Sequence, residues 1–248
     1  MAPSGRPGDG GVPAGAELLD LGIAGGLALA TWARGAYAPN SSVFGPVIGR
    51  GPREPVAFLT FDDGPNPAVT ELVLDVLARE AVPATFFMVG RHVERYPATA
   101  RAVARAGHEI GNHTYSHMKL HLAGPRTTRQ EIRRAHEAIG EATGNVPRCF
   151  RAPHGYRGPF VSGAIARYGY HVFGWTFGVW DSALPGVNRI RARVRAMLRP
   201  GAIVLLHDGD GYHPVGDRWQ TAQALEGIIH DTREAGYSLA ALPNPATG

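Results

Sequence analysis

The stretch "FLTFDDGPNP" (residues 58–67) joins a run of residues typical of a buried β-strand to two adjacent carboxylates and a Gly-Pro turn. Neighbouring like charges repel each other, and the end of a buried strand is a costly place for charge. A solvent-exposed turn is one explanation, because Asp and Gly are common turn residues. The other explanation is that a cation lies between Asp62 and Asp63.

This stretch contains the first of seven strand candidates, which alternate with helical patterns. The strand candidates are "VAFLTF" (56–61), "ATFFMV" (84–89), "HEIGN" (108–112), "RCFRA" (148–152), "HVFGWTF" (171–177), "AIVLLH" (202–207) and "YSLAAL" (237–242). The helical segments between them are 68–80, 97–106, 129–143, 159–168, 188–198 and 219–235. Thr128 and Glu131 form a capping-box pattern that predicts the start of the third helix.

About seven βα units predict an α/β fold with a parallel sheet. An incomplete TIM-like barrel fits the pattern best, and an open doubly wound sheet is the alternative. In both folds the functional residues lie in the loops after the carboxyl ends of the strands.

Composition narrows the class of protein. At 248 residues, with 44% hydrophobic and 19% charged residues, the chain is typical of a soluble globular enzyme or binding domain. The formal net charge is +4, and the arginine-rich segments lack interleaved aromatic residues, so we interpret them as solvated helix faces and not as a nucleic-acid surface. Cys149 is the only cysteine, which excludes an internal disulfide and a cysteine-based zinc site.

The N-terminal region differs from the rest of the chain. Residues 1–16 are rich in Gly, Pro and Ala, and we expect them to be disordered. The apolar segment "LGIAGGLALATWA" (21–33) is shorter than the roughly 20 residues that span a bilayer and lacks the basic start of a signal peptide. We expect a helix packed against the main domain, with a weak membrane anchor as the alternative. The predicted division is 1–54 for the N-terminal segment and connector, 55–242 for the main domain and 243–248 for a tail.

Unusual polar residues follow successive strand candidates, where either fold would place its active site. After the first strand come Asp62 and Asp63, after the third His113 and His117, after the fourth Arg151, after the fifth Asp181, and at the end of the sixth His207. Two histidines four residues apart can present both rings on one face, and one of the aspartates can supply a third ligand. This set suits zinc, cobalt, nickel or iron, so the sequence predicts a divalent metal site.

The second aspartate then has a separate role. A free carboxylate beside a water on the metal can accept its proton and generate hydroxide. Arg151 is the candidate that orients this base through a charge-assisted hydrogen bond. Asp181 can hold His207 protonated, which suits a general acid for a leaving amine.

Five motifs resemble, in order, those of the polysaccharide deacetylases, the NodB-homology domain of carbohydrate esterase family 4. They are "TFDDGP", "HTYSH", "RAPHG", the stretch from Trp175 to Asp181, and "LLHDG". The resemblance runs from about residue 55 to residue 242. It implies a distorted, incomplete (β/α) barrel and metal-dependent removal of acetyl groups from N-acetylated sugars, with zinc as the first candidate metal and cobalt or nickel as alternatives.

The resemblance also implies a role for each site residue. The implied roles are base for Asp62, metal ligands for Asp63, His113 and His117, tether of the base for Arg151, and acid pair for Asp181 and His207. Leu205 matches the residue that contacts the acetyl methyl, and Trp175 and His154 are assigned to substrate binding. His154 stands where the third motif usually has tyrosine, and its backbone N–H can still serve the oxyanion.

The fourth motif departs from the family pattern twice. Gly178 and Ser182 stand where an aspartate and a tryptophan are usual, so the aromatic wall of the sugar subsite is altered.

The resemblance as a whole implies an N-deacetylase acting on an N-acetylglucosamine-type glycan, either chitooligosaccharide or peptidoglycan. An O-acetyl ester hydrolase of the acetylxylan type and a non-catalytic glycan-binding module are the alternatives. The family favours the cell envelope or an extracytoplasmic location, and the sequence leaves the oligomeric state open.

Overall fold

The computed structural model describes residues 14–243, with side chains described from residue 22 onward. Of the 16 N-terminal residues expected to be disordered, residues 1–13 lie outside the described part, and Ala14 already begins the first helix. Most of the proposed tail, residues 244–248, also lies outside it.

Within this part of the chain, all strands join one parallel sheet. The strands are β1 (Val56–Asp62), β2 (Thr85–Met88), β3 (Glu109–Asn112), β4 (Cys149–Phe150), β5 (His171–Val172), β6 (Phe177–Gly178), β7 (Ala202–His207) and β8 (Ser238–Ala240). The order is β5-β4-β3-β2-β1-β7-β6, with β8 also paired to β1. Around the barrel, neighbouring strands follow one another in sequence order, and this order does not reverse as it does in a doubly wound sheet. The predicted incomplete barrel of about seven strands is therefore confirmed.

The barrel is open between β5 and β6, which lie at opposite ends of this order. The sequence predicted one continuous strand over 171–177, and that prediction is wrong. The chain leaves the sheet after Val172, and Ile48 of the connector forms an isolated bridge with Phe173. The Ile48 backbone N–H donates to the Val172 carbonyl (2.9 Å), and the Gly174 N–H donates to the Ile48 carbonyl (3.0 Å), so the connector satisfies backbone groups that a closed barrel would pair in the sheet.

All but the first of the described helices cover the outside of the sheet. They are α1 (Ala14–Tyr37), α2 (Pro67–Arg79), α3 (Gly90–Arg95), α4 (Pro97–Arg105), α5 (Pro125–Thr143), α6 (Val161–Ala166), α7 (Val187–Met197) and α8 (Trp219–Glu234). The sequence did not predict α3. It also placed the start of α5 too late, because Pro125 occupies the first helical turn and Thr128 lies inside the helix.

Side-chain alternation divides the core between the two faces of the sheet. Phe58 and Ile203 lie in a buried cluster on the inner face, whereas Leu59 belongs to the larger cluster packed against the helices. By the same alternation Asp62 and His207, which end β1 and β7, face the interior of the barrel. These two residues are register partners, so the strand pairing itself places them side by side.

The first helix does not pack as expected. Its described side chains from Gly22 to Trp32 are exposed, with Leu27 64% and Leu29 67% accessible. Among its described side chains, contact with the body is made at the C-terminal end, where the Tyr37 ring packs edge-on against His121 at 4.9 Å. Among the described residues, no helix combines the length and apolar character that crossing a membrane requires.

Candidate active site

Three potential metal ligands converge at the carboxyl ends of β1 and β3. The Oδ1 atom of Asp63 lies 3.0 Å from Nε2 of His117 and 3.4 Å from Nε2 of His113, and all three side chains are buried. The His113 Nδ1–H donates to the Arg151 carbonyl (2.8 Å), so its Nε2 turns toward Asp63 with a free lone pair.

This donor set fits a divalent cation. Burial raises the pKa of Asp63, but the contacts with His113 and His117 outweigh burial and hold that pKa well below its usual range. A buried carboxylate beside two imidazole nitrogens is stabilised by positive charge, which a bound cation would also supply. One carboxylate and two imidazoles match the three-ligand sites with an open position that hydrolytic zinc enzymes use.

Glu131 fixes the loop that carries His117, a role that the sequence did not reveal. Its carboxylate accepts hydrogen bonds from the backbone N–H of Tyr115 (3.1 Å) and Ser116 (2.8 Å) and from the Ser116 hydroxyl (2.9 Å). The predicted capping box with Thr128 therefore does not form, because the Glu131 carboxylate binds this loop instead of the start of α5. His117 has φ of 60°, a left-handed conformation that such a support stabilises.

Asp62 is held separately from this cluster. The Arg151 guanidinium donates to its Oδ1 (2.7 Å) and also to the Thr60 hydroxyl (2.8 Å) and the Gly174 carbonyl (2.8 Å). Arg151 is completely buried and lies 4.1 Å above the Phe87 ring. One carboxylate oxygen is thus fixed by a charge-assisted bond, and the other, Oδ2, remains on the cleft side, 3.7 Å from His113 Nε2.

His207, the register partner of Asp62, also lines the cleft and is paired with Asp181. The Asp181 Oδ1 is 2.8 Å from His207 Nδ1, and its Oδ2 accepts from the His207 backbone N–H and the Thr221 hydroxyl, both at 2.8 Å. Burial lowers the pKa of His207, but the charge and hydrogen bond of Asp181 outweigh it and raise that pKa to about 9. Burial raises the pKa of Asp181, and His207 more than offsets this, so the carboxylate stays ionised.

His154 and Tyr212 form one wall of the cleft. His154 has a φ of 57°, its Nε2 lies 2.9 Å from the Tyr212 hydroxyl, and its ring is 4.9 Å from that of His117. Burial, followed by the nearby His117 and Lys119, lowers the pKa of His154 to about 4, so its ring is neutral near pH 7. Tyr212 was not predicted as a site residue.

The loop that carries Tyr212 is fixed at two points. Arg218 pairs with Asp210 (2.9 Å), and the Arg91 guanidinium donates to the Gly211 carbonyl (2.6 Å). The acidic and glycine-rich "HDGDG" indicated a loop near the site, but nothing local to it indicated these arginine partners.

The structure brings all ten predicted site residues together. A cavity of about 160 Å³ is lined by eight of them, namely Asp62, Asp63, His113, His117, His154, Trp175, Leu205 and His207. Arg151 and Asp181 lie buried behind this cavity, where each contacts a residue that lines it. The cavity thus brings a potential cation site together with a carboxylate able to accept a proton and an imidazolium able to donate one.

Comparisons with known proteins point to one family. A family model described as polysaccharide deacetylase matches residues 49–173. The chain is 41% identical over 196 residues to a chitooligosaccharide deacetylase of Bradyrhizobium sp. (strain ANU 289), covering 75% of this chain and 88% of that protein. It is 37% identical over 186 residues to a peptidoglycan-N-acetylglucosamine deacetylase of Bacillus cereus, covering 74% of this chain and 84% of that protein.

A solved structure of a family pseudoenzyme from Bacillus anthracis superposes with a TM-score of 0.72 and 26% identity, covering 79% of this chain and 66% of that one. The fold is therefore shared with a protein described as a pseudoenzyme, and activity has to be argued from the site residues. The sequence identities and the family model together show that the chain belongs to the polysaccharide deacetylase family.

Proposed function

We propose that the protein is a metal-dependent hydrolase that removes N-acetyl groups from an N-acetylglucosamine-type glycan. The observation that carries the proposal is the convergence of three separately supported parts on one cleft. The three-ligand cluster around Asp63 shares one cavity with Asp62, which Arg151 holds, and with His207, which Asp181 holds.

Asp63, His113 and His117 would hold the divalent ion, with zinc as the first candidate and cobalt or nickel also compatible. When bound, the ion supplies Lewis-acid polarisation of the acetamide carbonyl and lowers the pKa of a water at the open position.

Asp62 is the proposed general base. Its free Oδ2 takes a proton from the attacking water while Arg151 keeps Oδ1 in place, so the carboxylate need not reorient during the reaction. Water oxygen adds to the acetamide carbonyl carbon. The backbone N–H of His154 is the proposed donor to the developing oxyanion.

His207 is the proposed general acid. Protonated and held by Asp181, it donates a proton to the amide nitrogen as the carbon–nitrogen bond breaks, which releases acetate and a free amine. Leu205 and Trp175 line the same cleft and are the proposed contacts for the acetyl methyl and the sugar.

The proposed substrates are chitooligosaccharides or peptidoglycan, the compounds named for the two relatives. Acetate release should be measured from both glycans and from acetylxylan, with zinc-loaded and chelated protein. We expect release from an N-acetylated glycan, reversible loss on chelation, and loss in Asp62→Asn. Release from acetylxylan alone would show an ester hydrolase, and release by chelated protein or by Asp62→Asn would contradict the mechanism.

A further inference from the structure

A second cavity, of about 290 Å³, lies next to the catalytic cleft. Its walls are Phe177, Gly178, Val179, Trp180 and Met197, together with four residues that also line the cleft: Trp175, Ser182, Leu205 and His207. Four shared wall residues mean that the two spaces adjoin at Leu205 and His207. We call this second space the acyl cavity.

Two small residues leave this space open. Gly178 on the edge strand β6 is the register partner of Leu205 on β7. A Cβ atom added at Gly178 would meet only the Leu205 side chain, at 3.5 Å or more, so the backbone here leaves room for a larger residue in the cavity wall. Ser182, in the short turn Asp181–Ala183 beyond β6, contributes only a hydroxymethyl group to the shared wall.

The walls of the acyl cavity favour an apolar occupant. Apart from His207 and Ser182, its lining side chains are aliphatic, aromatic or absent. A sugar placed there would find few hydrogen-bond partners among these side chains. A hydrocarbon chain would need no such partners and would bury surface against Trp180 and Met197, apolar lining residues that retain accessible surface.

The position of the acyl cavity relative to the cleft indicates which part of a substrate reaches it. Leu205 is the proposed contact of the acetyl methyl and lines both spaces. Neither Asp62 nor any of the three proposed metal ligands lines the acyl cavity, so this cavity lies beyond Leu205 as seen from them. An acyl chain longer than acetyl would therefore extend into it from the methyl position.

We propose that the acyl cavity receives the acyl group of N-acylated amino sugars with chains longer than acetyl, such as propionyl and butyryl. This inference rests on the proposed function and concerns the substrate of the same site. Water adds to the amide carbonyl, the carbon–nitrogen bond breaks, and the products are the free amine and the longer carboxylate. Water is the only co-reactant.

The gain can be bounded from the apolar surface removed from water. Each buried methylene contributes up to about a fourfold preference, so two methylenes contribute up to about 15-fold. We therefore expect kcat/KM for N-butyryl chitooligosaccharides to equal or exceed that for the N-acetyl compounds.

Two variants that fill the cavity from different walls test this expectation. Ser182→Trp and Gly178→Val should each lower the butyryl-to-acetyl ratio of kcat/KM at least about tenfold, because a mismatched methylene in a hydrophobic pocket has effects of that size. Ser182→Ala, the matched control, should leave the ratio unchanged. A wild-type ratio below one, or a ratio that neither filling variant changes, would overturn the proposal.

A binding measurement separates this inference from the proposed function. If the wild type releases neither acetate nor butyrate, the proposed function fails, and the acyl cavity is then tested by saturation-transfer NMR with sodium butyrate and sodium acetate. Butyrate signals that are stronger than acetate signals and are lost in Ser182→Trp support the cavity as an acyl site. Equal signals, or signals that survive the substitution, contradict it.

Discussion

Replacing Asp181 by asparagine should move the alkaline limb of the pH–rate profile to lower pH. In the wild type, burial lowers the pKa of His207, but Asp181 outweighs it and raises that pKa to about 9. Asparagine removes the negative charge, while burial and the other neighbours of His207 are unchanged. The pKa of His207 then falls to its ordinary value of about 6.5 or below.

The size of the effect follows from the protonated fraction of the acid. At pH 8, a pKa of about 9 leaves about 90% of His207 protonated. A pKa of about 6.5 leaves only about 3%. The variant should therefore lose about 30-fold in kcat/KM at pH 8 relative to wild type, and much less near pH 6.

The assay is acetate release from a chitooligosaccharide between pH 5.5 and 10, under conditions that report kcat/KM. A divalent ion bound by Asp63 lowers both alkaline limbs together, so the separation between the two proteins is the quantity that tests the role of Asp181. Thr221→Val is the matched control, because it removes one hydrogen bond to Asp181 but no charge. Alkaline limbs that coincide within about half a pH unit in wild type and Asp181→Asn would refute this role.

Three further predictions concern the supports of the site. Arg151→Met leaves Asp62 buried without its partner and should lower the free energy of unfolding in urea by about 3–5 kcal/mol. The control Arg133→Met removes an exposed pair with Glu137 and should lower it by less than about 1 kcal/mol. Equal losses would contradict the role of burial. Glu131→Ala should weaken zinc binding, measured by calorimetry, about 10–100-fold, because the loop before His117 loses three hydrogen bonds. Glu137→Ala is the control and should leave zinc affinity unchanged. Unchanged affinity in Glu131→Ala would show that the loop needs no such support. The folded-state pKa of His207 lies above its unfolded value. The stability that its protonation provides is therefore complete below about pH 6.5 and is lost as pH rises through about 9. Urea unfolding of wild type and His207→Gln, measured across this pH range, should show the loss only in the wild type.

The strand-end residues could be predicted from the sequence because topology alone brings them together. Once the chain is read as successive parallel strands, the residues after each strand must meet at one edge of the sheet. Asp62 and His207 even become register partners. The local patterns "FLTFDD" and "IVLLH" contain enough information for this placement.

The supports of the site could not be predicted because they depend on contacts between distant segments. Thr221 lies 40 residues after Asp181, and its hydrogen bond exists only because α8 packs beside the turn at Asp181. Glu131 matched a local capping pattern, but Pro125 begins the helix earlier and frees the carboxylate for the histidine loop. In both cases tertiary packing decided the partner.

The break between β5 and β6 has the same kind of cause. The apolar run at 171–177 has the composition of one strand, and only the approach of Ile48 from the connector shows why the chain leaves the sheet. The exposure of α1 was missed for a related reason. Apolar composition predicts burial in general, but nothing in the sequence of this helix shows whether the body presents a surface to it.

The central claim is that the adjacent aspartates have different tasks, Asp63 as a metal ligand and Asp62 as the base. The most direct test measures two quantities on both Asp62→Asn and Asp63→Asn. These are zinc affinity, by calorimetry, and the rate of acetate release. We predict that Asp62→Asn keeps zinc affinity within about tenfold of wild type yet loses acetate release, while Asp63→Asn loses both. Zinc affinity lost equally in the two variants, or acetate release retained by Asp62→Asn, would contradict the division of roles.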